Sequence, residues 1–329
     1  MGDSLNWKER ELLVYIRRKL LHSIPIIFAV TLLSFLSVNL LPGDVAETIA
    51  GIGTDNAVMD ETVVQDIRED LGLDRPVVVR YLSWLGYAVR GELGKSYQTG
   101  QSVSEAIALR LPVTIQLLLM AQILAILLAI PAGIFSAYRA GKLPDRVITT
   151  LAFSFLAAPS FIVAISLAFI FAVLLNWFPA TGYVPFSEDF IGNIRSFTLP
   201  ALALALIEWP ILCRVLRNDL ISTLQEDFIS LAKAKGLRPF HILFRHALRP
   251  SSFTLITIVG IQLGNLISGA VIVESIFALP GLGSLLVASI HSREILMVQG
   301  IVALMAVAYV VINLVIDIFY GALDPRILR

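Results

Sequence analysis

The residues from Asp227 to Gly236, DFISLAKAKG, have types and spacing suited to mechanical work on a partner, not to bond chemistry. Phe228, Leu231 and Ala232 recur at i, i+3 and i+4, the spacing of one helical ridge, while Lys233 and Lys235 point elsewhere. Asp227, Ile229, Ser230 and Ala234 complete the short helix. Gly236 should end it as a glycine just past a helix does, with Lys233 and Lys235 favouring the negative end of its dipole. Pro239 should then open a second helix over His241–Leu248. A short helix with an apolar ridge and a basic flank can seat in a cleft of another protein. It can also rest on lipid headgroups.

A second set of residues is polar where the surroundings are apolar. Glu208, Gln262, Asn265 and Glu274 fall within or at the ends of long hydrophobic runs, as do Asn313 and Asp317. An acid near the centre of a membrane helix costs about 2.5–3.5 kcal/mol on insertion scales, so Glu208 should face other helices or a wet cavity. Glu274 and Asp317 are expected nearer the interfaces. Pro280, Gly281 and Gly283 interrupt the chain after the fifth run and should start a re-entrant or interfacial turn leading to Leu285–His291. These residues are candidates for a pathway lining and its outer gate.

Reactive constellations are absent from the sequence. The histidines (His22, His241, His246, His291) lack metal-ligand spacing, and Cys213 is the lone cysteine, so neither a metal site nor an intrachain disulfide is expected. No G-x-S-x-G or H-E-x-x-H pattern occurs. GELGKS at Gly91–Ser96 is not a phosphate loop, because the position that needs its first glycine is Val89.

The elements that must position these residues follow from composition. The chain has 329 residues, 57% hydrophobic and 15% charged, with a mean hydropathy of +0.82. That is an integral membrane protein. Zero net charge gives no nucleic-acid footprint. Uncharged runs near the roughly 20 residues needed to span occur at Ser23–Gly43, Leu111–Tyr138, Val147–Asn176, Ser196–Cys213, Pro250–Val273 and Ile295–Ile316. The first run is too long for a signal-peptide core and should be retained. Of 25 lysines and arginines, 17 lie on the side of both termini, which places those termini in the cytoplasm. The island Asp227–Pro250, with Lys233, Lys235, Arg238, Arg245 and Arg249, shares that side.

The first external segment, 44–110, exceeds a simple connection and should contain helices over Asp60–Leu71 and Pro76–Arg90. A third should open at Ser102, where Ser102 and Glu105 form a capping box. Tyr81, Trp84 and Tyr87 suit a cap at the outer interface. Ala164, Ala168 and Ala172, and Gly260, Gly264 and Ser268, form small-residue rows for close helix packing, within the chain or with a second subunit.

The island resembles the EAA loop of ABC importer permeases, E-A-A-x3-G with a distal L-P. Aligned on Gly236, it places Ser230, Leu231 and Ala232 at the three leading positions, with Leu248-Arg249-Pro250 in place of L-P. Further stretches resemble the dipeptide, oligopeptide and nickel permease branch. These are Leu41–Asp44 (LPGD), Leu71–Pro76 (LGLDRP), Gly91–Tyr97, Val271–Gly283 (VIVESIFALPGLG) and Tyr320–Arg326 (YGALDPR).

The resemblance implies an all-α membrane protein of six transmembrane helices, one peripheral and five in a type I ABC importer core, with a long helical first external loop. The implied divisions are a cytoplasmic segment 1–22, peripheral helix 23–43, external loop 44–110, core 111–322 with a coupling loop at 221–250, and cytoplasmic tail 323–329. Implied partners are a homologous second permease, two ATP-binding subunits that hold ATP and Mg, an extracytoplasmic substrate-binding protein and the bilayer of a bacterial inner membrane. The chain would hold no cofactor and perform no catalysis. Its cargo would be di- or oligopeptides, with glutathione-type compounds or nickel chelates as alternatives. A self-sufficient channel or ion-coupled carrier, active without ATP, and a membrane scaffold without transport are the rivals.

Overall fold

Long apolar runs without charges leave the backbone one way to satisfy its amides in lipid, and helices result. The computed structural model describes residues 3–39, 46, 61–70 and 74–323. Its helices are α1 (Asp3–Asn39), α2 (Glu61–Asp70), α3 (Val77–Val89), α4 (Val103–Tyr138) and α5 (Leu143–Ala157). Next come α6 (Ser160–Leu167), which continues as a π-helical segment to Leu174, α7 (Phe190–Thr223) and α8 (Asp227–Ala234). A helical turn at Pro239–His241 and a π segment over Ile242–Ala247 lead into α9 (Leu248–Phe277), followed by α10 (Leu282–His291) and α11 (Ile295–Leu323). The LPGD stretch, Leu71–Leu73 and the tail beyond Leu323 lie outside the described residues.

Among the described residues, five helices are long and apolar enough to cross a membrane, or six if a bent pair counts as one span. That pair is α5 with α6 and its π extension, bent by 106°. The run expected as one helix over Val147–Asn176 breaks because Pro159 bars its predecessor from the helical region. Ala158 accordingly has ψ 129°, and the chain restarts at Ser160. Pro200 and Pro210, by contrast, stay inside α7.

Local signals set several ends. Asp189 caps α7 by accepting from the Ile191 N–H at 2.9 Å. A Cβ on Gly192 would lie 2.6 Å from Asp189 Oδ2, so glycine is what admits the cap. Gly192→Ala should therefore weaken the cap by about 1 kcal/mol, read as faster amide exchange over the first turn of α7. Unchanged exchange there would show that Asp189 adjusts freely.

The chain divides into two units, each with its own core. The first comprises residues 1–112 and 281–314. In it Tyr81 of α3 is 2% exposed, hydrogen-bonds Thr31 Oγ1 at 2.8 Å and meets Phe28 and Phe35 of α1 edge-on. Tyr81 thus packs α3 onto α1, whereas Tyr87 is exposed. GELGKS forms a turn with Gly91 and Gly94 at positive φ, held by Ser104 Oγ–H donating to the Gly91 carbonyl. The helix expected to open at Ser102 does begin at Val103, but runs unbroken through Leu111 to Tyr138.

The second unit comprises, among the described residues, 113–280 and 315–323. α7 is its hub: Phe197, Leu204, Leu212, Leu216 and Leu220 are buried against α4, α5, α6 and α9. The small-residue rows meet this chain's own side chains. Ala164 and Ala172 enter the core, and Gly260 faces Ile316, whose side chain would sit 2.6 Å from an added Cβ.

Candidate coupling and pathway sites

The short helix α8 is anchored on one side and bare on the other. Ile229 is fully buried and Ala232 is 6% exposed, both in the cluster that holds Leu216 and Leu220 of α7 and Ile242, Leu243 and Ala247 beyond Pro239. Phe228 and Leu231 face out at 46% and 57% exposure. The ridge expected from Phe228, Leu231 and Ala232 therefore splits, because at 100° per residue Ala232 shares its face with Ile229 instead. Asp227, Ser230, Lys233, Ala234 and Lys235 are exposed.

Gly236 ends α8 as its position required. Its φ is +74°, its N–H donates to the Lys233 carbonyl at 2.9 Å, and the Leu237 N–H reaches the Ala232 carbonyl at 3.2 Å. These two bonds are a Schellman motif, which orients the chain leaving the helix. Pro239 sits at the first helical position beyond it. The helix expected over His241–Leu248 to lead into the fifth run does so, as a π segment continuous with α9, so the island joins a long helix without a break. Thr223 and Ser251 hydroxyls meet at 3.0 Å and tie its entry to its exit.

Three of the polar pathway candidates converge between α7 and α9. Gln262 donates its side-chain amide to Glu208 Oε2, and Asn265 donates to Gln262 Oε1 at 3.1 Å. Glu208 and Gln262 are buried while Asn265 is exposed, so the ladder runs from the core to the surface of this chain. Hydrogen bonding offsets part of the desolvation that burial of Glu208 demands. Gln122 of α4 and Trp209 of α7 add buried polar atoms to the same unit.

Glu274 lies three residues before the end of α9. It is fully buried and accepts from Thr114 Oγ1 of α4 at 2.6 Å, which fastens the end of α9 to α4. Nearby in sequence, Ala278 takes the left-handed conformation at φ 53° and closes α9. Gly281 precedes α10 at φ −98°, a backbone open to any residue, and Gly283 lies in its first turn; both are buried. Pro280 is half-buried. The helix after the break starts at Leu282, earlier than the Leu285 expected, because it needs no further residues to turn. Asn313 lies on α11 with its amide on the Tyr309 carbonyl. The side chain of Asp317 lies outside the described residues.

Sequence reasoning missed the strongest electrostatic feature. Asp145, 3% exposed in the first turn of α5, accepts from Arg217 Nε at 2.6 Å and Arg217 Nη2 at 2.7 Å. It also accepts from the Gly141 N–H at 2.7 Å and from the Ser136 hydroxyl. One carboxylate thereby clasps the end of α4, the start of α5 and the last part of α7, whose next turns lead into α8. A lone acid just past Pro144 and an arginine near the end of an apolar helix were the available signals.

This architecture is that of a polytopic helical membrane protein with a hub helix and a buried polar ladder. Two family models match it: "Binding-protein-dependent transport system inner membrane component" over residues 129–329, and the corresponding N-terminal membrane component over 12–118. The chain belongs to this family, and is a permease subunit of an ABC importer. It is 40% identical over 312 residues, 95% of this chain and 98% of the relative, to a protein of Brucella abortus (strain 2308) named as a peptide transport system permease. It is 38% identical over 320 residues, 95% and 98% of the two chains, to the oligopeptide transport system permease protein AppB of Bacillus subtilis (strain 168). Its fold is similar to that of a chain in the inward-facing MetNI methionine ABC transporter, with a TM-score of 0.56 and 15% identity over 67% of this chain and 96% of that one.

Proposed function

We propose that this subunit forms half of the pathway through which an ATP-driven importer carries di- or oligopeptides, and that α8 couples it to the motor. The cargo reading rests on the names of the Brucella and Bacillus relatives. The coupling reading rests on one observation above the others. α8 is locked to the hub through Ile229 and Ala232 while Phe228 and Leu231 stand bare, which is what a lever between two proteins requires.

In this mechanism two ATP-binding subunits on the cytoplasmic side grip Asp227–Gly236 and close on ATP. The stroke passes through the buried face of α8 into α7 and, through the π segment, into α9. Those two helices carry Glu208, Gln262 and Asn265, so their relative shift would rearrange the polar ladder along the pathway. A second permease completes the conduit, and a binding protein delivers cargo on the far side, where Pro280, Gly281 and Gly283 border the gate. Both termini then lie in the cytoplasm, and the membrane is a bacterial inner membrane. ATP and Mg stay with the partner subunits, and this chain contributes binding surface and movement.

The test is Phe228→Ser with Leu231→Ser, two exposed changes that leave the core intact. The expected result is loss of the ATPase subunits from the purified complex and at least a tenfold fall in ATP-dependent peptide uptake in proteoliposomes; a lost pair of buried aromatic and aliphatic anchors is worth about 2 kcal/mol or more. Full retention of the ATPases with normal uptake would remove α8 from the coupling role. Substrate accumulation by the chain alone, without ATP, would favour a carrier instead.

A further inference from the structure

Beside the Asp145–Arg217 clasp, α5 and α7 diverge around a cleft of about 470 Å³. Its two ends differ. Near the clasp it is lined by Thr149, Arg214 and Asn218, and farther along by Phe153, Leu156 and Ile211. Leu156 lies two helical turns beyond Thr149, about 10 Å along the axis. The cleft is therefore polar at the end that carries α8 and apolar deeper in.

The charges at the polar end do not cancel. Asp145 satisfies Arg217. Arg214 is exposed, its guanidinium lies 5.7 Å from the centre of the Phe153 ring, and it has no carboxylate partner among the described residues. A net positive charge thus sits at the mouth of an apolar slot, on a helix that crosses the membrane. Val147, Leu151 and Phe153 extend the apolar surface outward along α5.

We infer that this cleft binds an anionic phospholipid of the leaflet on the α8 side. The phosphodiester pairs with Arg214 and accepts from the Asn218 side-chain amide, while an acyl chain lies along Phe153, Leu156 and Ile211. Charge at the mouth selects the headgroup, and the apolar depth excludes a free anion. The coupling function of α8 plays no part in this assignment.

The test is native mass spectrometry of the full chain, alone and in the assembled importer, released from micelles holding equal phosphatidylglycerol and phosphatidylcholine. One interfacial arginine supports about a fivefold preference for the anionic lipid. The wild type should show that preference, R214K should keep it, and R214Q should abolish it. L156W, which narrows the deep end from its exposed rim, should reduce retention of both lipids. Inorganic phosphate at 50-fold excess over lipid, roughly a saturating competitor for a bare anion site, should displace nothing. Equal lipid retention by R214Q and wild type overturns the proposal, as does displacement by phosphate. Expulsion of the lipid on assembly also overturns it, and makes the cleft a contact with the second permease.

Discussion

Ala232→Asp should abolish ATP-driven uptake in proteoliposomes containing the complete importer while leaving membrane insertion intact. The methyl group of Ala232 sits in the cluster that fastens α8 to α7, with Ile229 one turn before it. An aspartate there is a charge without a partner, and such a group destabilises its buried state by about 3 kcal/mol or more. That shifts docked against undocked α8 by about 100-fold. An isolated helix of 8 residues has no stability of its own, so undocking removes the lever entirely. Insertion depends on the long apolar helices and should survive, as resistance to alkaline extraction would show. Ala232→Ser is the control, since its hydroxyl can bond back to the Phe228 carbonyl. Normal uptake by the aspartate variant would mean that motion enters the chain elsewhere.

Asp145→Asn should produce the largest loss of stability of any single change in the second unit. The carboxylate accepts from a guanidinium, a backbone N–H and a hydroxyl at once. An amide keeps one acceptor oxygen but turns an NH2 donor toward the donors that the other oxygen met, and Arg217 is left charged and only 25% exposed. Breaking a buried pair from one side costs about 3–5 kcal/mol. The detergent-solubilised protein should unfold at a clearly lower temperature. Pairing the change with Arg217→Gln should recover part of the loss, because no lone charge remains, and the double-mutant cycle reads the coupling directly. Additive losses would mean that Asp145 and Arg217 act independently.

The two changes differ in how visible their sites were beforehand. Ala232 and Gly236 lie in a stretch whose spacing, glycine stop and following proline are local signals that the chain obeys over a few residues. Their helix forms over the expected residues, and Gly236 takes the left-handed backbone that only glycine adopts freely. Asp145 and Arg217 are 72 residues apart, and nothing in the intervening sequence couples them. Thr114 and Glu274 are 160 apart, so no local signal showed that this acid is a fully buried tie between two helices.

The amino-acid order alone determined that this chain is a helical membrane protein, and where most of its long helices run. It also determined that a short helix ending at Gly236 interrupts them, since hydrophobic length and capping act over one to a few turns. Only the tertiary structure decided that Ile229 joins Ala232 on the buried face, that Pro159 bends a span while Pro200 and Pro210 do not, and which polar residues pair. Those outcomes depend on what lies opposite each side chain, and packing partners are brought together by the fold from positions far apart in the chain.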